Sequence, residues 1–296
     1  MYIVTLLTDP AKPTLDPALA DSLRNAWGGG TLQWLSPDEA AEFAVAVPPS
    51  NLWDVWQTLQ AQGIDLTLQR AENRRKKLLI ADMDSTMIRQ ECIDELAALA
   101  GVGPHVAAIT ARTMNGELDF EQALTERVAL LKGLPVATID EVLQTRITFT
   151  PGGATLLATM KAHGAHTALV SGGFTQFTAR IAATLGFHEH HANALIENGA
   201  ALAGTVGQPI LGKQAKLDML NAITRRLGLT PDDAIAVGDG ANDLAMLTAA
   251  GAGVALHAKP SVAAQTGLRI NHGDLTALLY LQGYSKDAFT TPACSL

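Results

Sequence analysis

The stretch Lys77-Leu78-Leu79-Ile80-Ala81-Asp82-Met83-Asp84-Ser85-Thr86 decides the fold. It opens as a short apolar run without charge, from Leu78 to Ala81, which suits a strand buried on both faces of a parallel sheet. The run stops on two aspartates one residue apart, followed by two hydroxyl residues. A strand with that ending sets both carboxylates beyond its carboxyl end, where open α/β sheets bind their ligands. Two clustered carboxylates repel each other and resist joint ionisation unless a cation or a proton lies between them. Taken alone, the stretch reads equally as a buried strand followed by an Asx-type turn.

Working downstream, the next apolar strand arrives only at His166–Val170. The residues between, 89–149, read as helices: Glu91–Ala100, Pro104–Met114, Phe120–Leu131 and Thr138–Gln144. An all-helical insertion directly after such a strand sits over the strand ends as a cap, where it excludes water and reads a substrate. From Gly152 onward strand and helix alternate. Helix Gly153–His163 leads to strand His166–Val170, a turn at Ser171-Gly172-Gly173 and helix Phe174–Leu185. A strand-like, glycine-punctuated stretch, Phe187–Leu211, precedes helix Lys213–Leu227. Strand Ala234–Val237 ends at Gly238-Asp239-Gly240, and helix Ala241–Ala249 and strand Gly253–Leu256 follow. The alternation predicts an α/β fold, a doubly wound parallel sheet (Rossmann-like) core with a helical cap insertion.

Working upstream, strands at Tyr2–Thr8, Thr31–Leu35, Phe43–Val47 and Ile64–Gln69 are interleaved with helices at Pro17–Ala26 and Leu52–Gln62. Gly28-Gly29-Gly30 stops the first helix. The order β-α-β-β-α-β predicts an N-terminal ferredoxin-like α+β domain. It holds no catalytic constellation; a regulatory or dimerisation module and a structural appendage both fit. The basic run Arg70–Lys77 reads as a solvated linker, too short and too poor in aromatics for a nucleic-acid patch. The expected division is a module at 1–72, a core at 77–284 with the cap at 89–149 inserted in it, and a tail at 285–296.

Composition narrows the class. The chain has 296 residues, 48% apolar and 17% charged, so it folds around a substantial core rather than staying disordered. Its formal net charge of -8 argues against general binding to nucleic acid or an anionic membrane. Cys92 and Cys294 lie far apart and form no disulfide or metal pattern, which points to a reducing, cytoplasmic setting. The apolar run Tyr2–Leu7 is too short for a signal segment, and no run reaches the roughly 18 apolar residues of a membrane span.

The turns after the three apolar strands carry the chemistry. The first supplies Asp82 and Asp84; the second supplies the Ser171 hydroxyl and the open backbone of Gly172 and Gly173, suited to phosphate and equally to a structural turn. The third supplies Asp239, Asn242 and Asp243. Lys216, on the helix before that strand, reaches a phosphate as a point charge or serves as a surface lysine. Clustered carboxylates suit a hard cation such as Mg²⁺, and a phosphoryl group needs its charge offset by cation, lysine and N–H donors. The set fits phosphoryl transfer through an aspartate nucleophile, with a second aspartate moving the protons.

These residues resemble, in order, the four motifs of the haloacid dehalogenase-like phosphatases. Glu91, the run Met114-Asn115-Gly116-Glu117-Leu118-Asp119-Phe120 and Arg127-Val128 resemble the cap of the phosphoserine phosphatases within that superfamily. The resemblance spans about Lys77 to Tyr284, and residues 1–72 are loosely similar to ACT-like modules. It implies Mg²⁺-dependent hydrolysis of O-phospho-L-serine to L-serine and phosphate, the last step of serine biosynthesis. It implies Asp82 as nucleophile and Asp84 as general acid and base. The implied Mg²⁺ ligands are Asp82 and Asp239 through their side chains and Asp84 through its carbonyl. Ser171, Gly172 and Lys216 would hold the phosphate with Gly173 in support, Asn242 would contact the phosphate region, and Asp243 would support Lys216 and the metal shell. Glu91 would meet the substrate ammonium and Arg127 its carboxylate, with Met114 and Phe120 walling the pocket. Spacing adds that Phe120 and Arg127, two helical turns apart, share a face. A Glu and an Arg on one lid suit a zwitterion, and both also read as ordinary helix charges.

Alternatives within enzymes are a phosphotransferase and a phosphatase of another small amino-acid phosphate. A homodimer fits the N-terminal module. A non-catalytic phospho-sensor needs no acid two residues after its aspartate, so Asp84 and the cap argue against it. Gly207 to Lys213 spells a P-loop, but Gln214 stands where a hydroxyl must hold Mg²⁺, so it reads as a turn. His188-Glu189-His190-His191 reads as a solvated loop, and Cys92 as a buried helix residue.

Overall fold

The computed structural model describes residues 1–114, 117–212 and 214–291. In chain order the first elements are β1 (Tyr2–Leu7), α1 (Pro17–Ala26), β2 (Gln33–Ser36), β3 (Ala40–Val45), α2 (Leu52–Gln60), β4 (Asp65–Arg70) and β5 (Leu78–Ala81). Four helices follow, α3 (Cys92–Leu99), α4 (Gly103–Met114), α5 (Phe120–Ala129) and α6 (Ala137–Thr145). Next come α7 (Gly153–Ala162), β6 (His166–Phe174), α8 (Thr175–Leu185), β7 (Glu189–Asn193), β8 (Leu195–Asn198), β9 (Ala201–Val206) and α9 (Ala215–Arg226). The chain closes with β10 (Ala234–Gly238), α10 (Leu244–Ala249), β11 (Ala252–Leu256), α11 (Pro260–Ala263), β12 (Leu268–Ile270) and α12 (Ala277–Leu281). No helix among the described residues is long and apolar enough to cross a membrane.

The six-stranded sheet runs β12-β11-β10-β5-β6-β7, with β10–β11, β11–β12 and β6–β7 parallel. All four residues of β5 are fully buried, as a central strand covered on both faces must be. From β5 the chain builds outward in one direction through β6 and β7, then in the other through β10, β11 and β12. That reversal is the doubly wound arrangement, and its switch point falls where β5 and β10 are neighbours.

The chain divides into two compact units. One comprises Met1–Ile80, Pro151–Thr167 and Leu220–Leu296. Its N-terminal part is an antiparallel sheet, β2-β3-β1-β4, in the expected ferredoxin-like order. Asp16 caps α1 by accepting from the Ala18 N–H, and Gly28, at φ 61°, ends it. Two strands lie off their expected bounds. β2 runs to Ser36 and β3 starts at Ala40, because a tight Pro37-Asp38-Glu39 turn joins them and β1 pairs with β3 from Leu7↔Ala40 to Tyr2↔Val45. The sheet is fastened to the C-terminal segment by buried polar groups. Fully buried Asp65 accepts the N–H groups of Asn271, His272 and Gly273 at 2.9, 3.0 and 2.8 Å. Buried Glu39 accepts the Tyr280 hydroxyl at 2.7 Å, and Arg74 pairs bidentately with Glu42.

The other unit comprises Ala81–Thr150 and Ala168–Met219. Helices α3 to α6 lie between two segments that zip together. Ile88 bridges Phe149, the Arg89 N–H donates to the Thr148 carbonyl, and the Thr150 N–H donates to the Met87 carbonyl. The strand-like stretch from Phe187 resolves into β7 and the hairpin β8–β9. That hairpin braces the α5–α6 connection, since the Gly133 and Val136 N–H groups donate to the Leu202 and Ala200 carbonyls. The expected turn at Ser171-Gly172-Gly173 is instead the end of β6, which continues to Phe174. Its pairing with β7 slips between Val170 and Phe174, so the segment is a kinked strand edge rather than a free turn.

Candidate active site

Asp82 follows β5 directly and is 4% exposed. Its Oδ1 accepts the Met83 N–H at 2.7 Å and Nζ of Lys216 at 2.6 Å. Lys216 is itself 3% exposed, so the surface reading of this residue is wrong: α9 delivers its ammonium to the carboxylate. Charges buried this deeply persist only when paired.

Asp84 is half-buried and held at both oxygens. Oδ1 accepts the Cys92 N–H at 2.9 Å, and Oδ2 accepts the Ser171 hydroxyl at 3.2 Å. Ser171 Oγ in turn accepts the Gly173 N–H at 2.8 Å. Gly173 lets these groups close up, since a Cβ would stand 2.7 Å from Asp84 Oδ2 and 3.0 Å from Ser171 Oγ. Burial, then the charge of Glu91, pushes the Asp84 carboxyl from 3.8 up to about 6. Burial first, and then Asp84, hold the Cys92 thiol protonated, in keeping with a packed residue and not a nucleophile.

The raised Asp84 value carries a stability prediction. The folded state binds this proton more tightly than the unfolded chain, so the stabilisation is present below about pH 4 and is lost as pH rises towards 6. That rise corresponds to at most about 3 kcal/mol, reduced by solvent at the exposed edge. Without added divalent cation, Asp84→Asn is expected to be more stable than wild type by about 1–3 kcal/mol at pH 7 and by nothing near pH 4. Urea unfolding at both values checks this, and a less stable variant at pH 7 would refute it.

Of the residues expected from the helical insertion, Glu91 and Arg127 lie near Asp84 of the same unit and Phe120 lies against Gly172. Glu91 precedes α3, and its Oε1 accepts the Ser85 hydroxyl at 2.7 Å. Ser85 takes φ 54° to make that turn. Asp119 and Gln122 form a capping box that starts α5 at Phe120 and fixes the register of Phe120 and Arg127. The Phe120 ring lies against Gly172, where a Cβ would stand 2.9 Å from Cζ. Arg127 donates Nε to the Ala123 carbonyl. Burial lowers the Arg127 pKa, opposed by the charges of Asp94, Glu91 and Asp84 in that order. The Met114 side chain, Asn115, Gly116, Lys213 and Cys294 lie outside the described residues.

In the first unit, Asp239 follows β10 and is buried. Buried Asp243 accepts the Gly240 N–H at 2.9 Å, which closes the loop. A Cβ on Gly238 would strike Asp243 Cγ at 2.4 Å and Cβ at 2.8 Å, so this glycine lets the buried Asp243 pack against the strand end. Within this unit Asp239 and Asp243 are buried carboxylates of the kind that hold a metal ion. An all-oxygen, anionic donor set fits a hard divalent cation and not a soft one. The histidine run is not a solvated loop, because β7 includes Glu189, His190 and His191. His191 pairs with Glu189 at 3.0 Å, and His190 Nδ1 meets the Thr178 hydroxyl at 3.0 Å.

Some contributors carry no side-chain signal. The Cys92 N–H on Asp84 is a backbone donor, and the Ser85 hydroxyl depends on an uncommon backbone angle. Lys259 follows β11 and contacts Asp239; its place after a parallel strand was the available signal.

A haloacid dehalogenase-like hydrolase model matches residues 79–248, more than half of the chain. The chain belongs to that family. A phosphoserine phosphatase of Polaromonas sp. is 48% identical over 210 residues, covering 69% of this chain and 89% of that protein. A haloacid dehalogenase-family hydrolase of Salmonella enterica serovar Typhi superposes at TM-score 0.84 with 30% identity, over 97% of this chain and 99% of that one. A phospho-aspartyl intermediate analogue of phosphoserine phosphatase superposes at TM-score 0.65 with 39% identity, over 70% and 98%. This haloacid dehalogenase-like hydrolase is therefore an enzyme whose relatives include phosphatases of phosphoserine.

Proposed function

We propose that this enzyme hydrolyses O-phospho-L-serine to L-serine and phosphate with Mg²⁺, as the last step of serine biosynthesis. The observation that carries this is the pairing of Glu91 and Arg127 with the Asp82–Lys216 and Asp84–Ser171 contacts in one unit. A carboxylate and a guanidinium beside a phosphoryl-transfer set match a zwitterion that carries a phosphate. Names of relatives support the same substrate.

In this reading Lys216, the Ser171 hydroxyl and the Gly172 N–H hold the phosphoryl oxygens, and Phe120 covers Gly172 to exclude water. An Asp82 carboxylate oxygen attacks phosphorus while the bond to the serine oxygen breaks. Asp84, whose raised pKa lets a fraction of it carry a proton near neutral pH, passes that proton to that oxygen. Water then attacks the aspartyl phosphate, Asp84 takes one of its protons, and phosphate leaves with Asp82 restored as a carboxylate. Asp82 and Asp239 would hold the cation, joined by the Asp84 carbonyl; when bound, it offsets the phosphoryl charge. Asn242 would face the phosphate, and Asp243 would keep the Gly238–Gly240 loop closed.

Phosphate release from a panel of O-phospho-L-serine, O-phospho-L-threonine, a sugar phosphate and an aryl phosphate tests the assignment. Phosphoserine is expected to give the highest kcat/KM by at least about tenfold. Equal or better turnover of the sugar phosphate would defeat it.

A further inference from the structure

Lys259 has no part in the steps above, yet it touches Asp239 twice. Its N–H donates to the Asp239 carbonyl at 3.1 Å, and its Nζ stands 3.9 Å from Asp239 Oδ2. The main chain that carries it is fastened on both sides. His257, at φ 44°, donates its N–H to the Ile270 carbonyl at 2.8 Å, and its ring Nε2 meets the Gly273 carbonyl at 2.8 Å. The Gly273 N–H is in turn held by Asp65. A non-glycine residue keeps that backbone only when its surroundings impose it. Pro260 then starts α11 with its φ locked, so the Lys259 backbone has little freedom. The side chain differs: it is 55% exposed and ends on a carboxylate that is 10% exposed.

We propose that Lys259 is a positioning residue for Asp239, whose ammonium is the counter-ion that holds the carboxylate and competes with a divalent cation for it. This rests on the reading of Asp239 as a cation ligand. An ammonium beside that ligand lowers the local negative potential, so its presence weakens cation binding and its removal tightens it. The exposure of the side chain limits the effect to a severalfold change. The backbone N–H, which aligns the Asp239 carbonyl, is retained in any side-chain variant.

The test is calorimetric titration of the full chain with MgCl₂ for wild type, Lys259→Met and Lys259→Arg, at low salt and at about 0.5 M KCl, where charge effects of this kind are largely screened. The expected result is a Kd about three- to tenfold lower for Lys259→Met at low salt, a gap that shrinks at high salt, and a Kd within twofold of wild type for Lys259→Arg. A purely structural lysine would move the thermal midpoint and loosen cation binding instead. Equal or weaker binding by Lys259→Met, with wild type binding normally, overturns the proposal and leaves the cation site standing. No binding by wild type overturns the cation reading of Asp239 and the proposal with it.

Discussion

Asp82→Asn is expected to abolish phosphate release from O-phospho-L-serine, lowering kcat by on the order of 10⁴-fold or more. In the proposed reaction this residue has one task. Its Oδ1 is held by the Met83 N–H and by Lys216, which aims the side chain. An amide oxygen in that place is nearly isosteric but a poor nucleophile, and it cannot yield an aspartyl phosphate. The loss should therefore fall on kcat for every substrate, the aryl phosphate included, with little change in substrate affinity. Acid-quenched wild type should hold an acid-stable, alkali-labile phosphoryl group that the variant lacks. Lys216, 3% exposed, loses its anionic partner, so a lower thermal midpoint is expected too and must be measured beside the rate. Residual turnover above about 1% in a folded variant would remove Asp82 from the nucleophile role.

The readable parts of this chain are those where one local rule dominates. The apolar run at Leu78–Ala81 can bury both faces only as a central parallel strand, so the sheet and the carboxylates beyond it follow. Phe120 and Arg127 share a face because they lie two helical turns apart, which spacing alone shows. Where long-range pairing decides, local patterns fall short. β3 begins three residues before Phe43 because β1 dictates its register. The short β12 adds only three residues to β11 and leaves almost no periodic signal. Residues brought together across great sequence distances are also hidden: nothing near Asp65 announces three donors about 206 positions away. The same holds for Lys216, whose ordinary surface pattern conceals a buried partner in Asp82.

Arg127→Ala is expected to lower kcat/KM for O-phospho-L-serine by about 10²- to 10³-fold, mostly through KM, while the aryl phosphate stays within about threefold of wild type. The guanidinium gives its Nε to the Ala123 carbonyl of its own helix, which leaves the two terminal nitrogens to form a fork. A bidentate contact between such a fork and a carboxylate combines two charge-assisted bonds, together worth about 3–4 kcal/mol when partly buried, and each 1.4 kcal/mol is tenfold. The aryl phosphate has no carboxylate to offer, so it never gains that contact and cannot lose it. Burial lowers the Arg127 pKa, but the residue remains charged at neutral pH, held so by Asp94, Glu91 and Asp84. Truncation leaves those three acids facing one another, which adds repulsion against the substrate carboxylate to the lost attraction. Lys in its place should restore part of the affinity as a point charge without the planar fork. If Ala depresses both substrates alike, Arg127 serves the packing of α5 and not the recognition of a carboxylate. The substrate would then have to be read by Glu91 and the phosphate contacts alone.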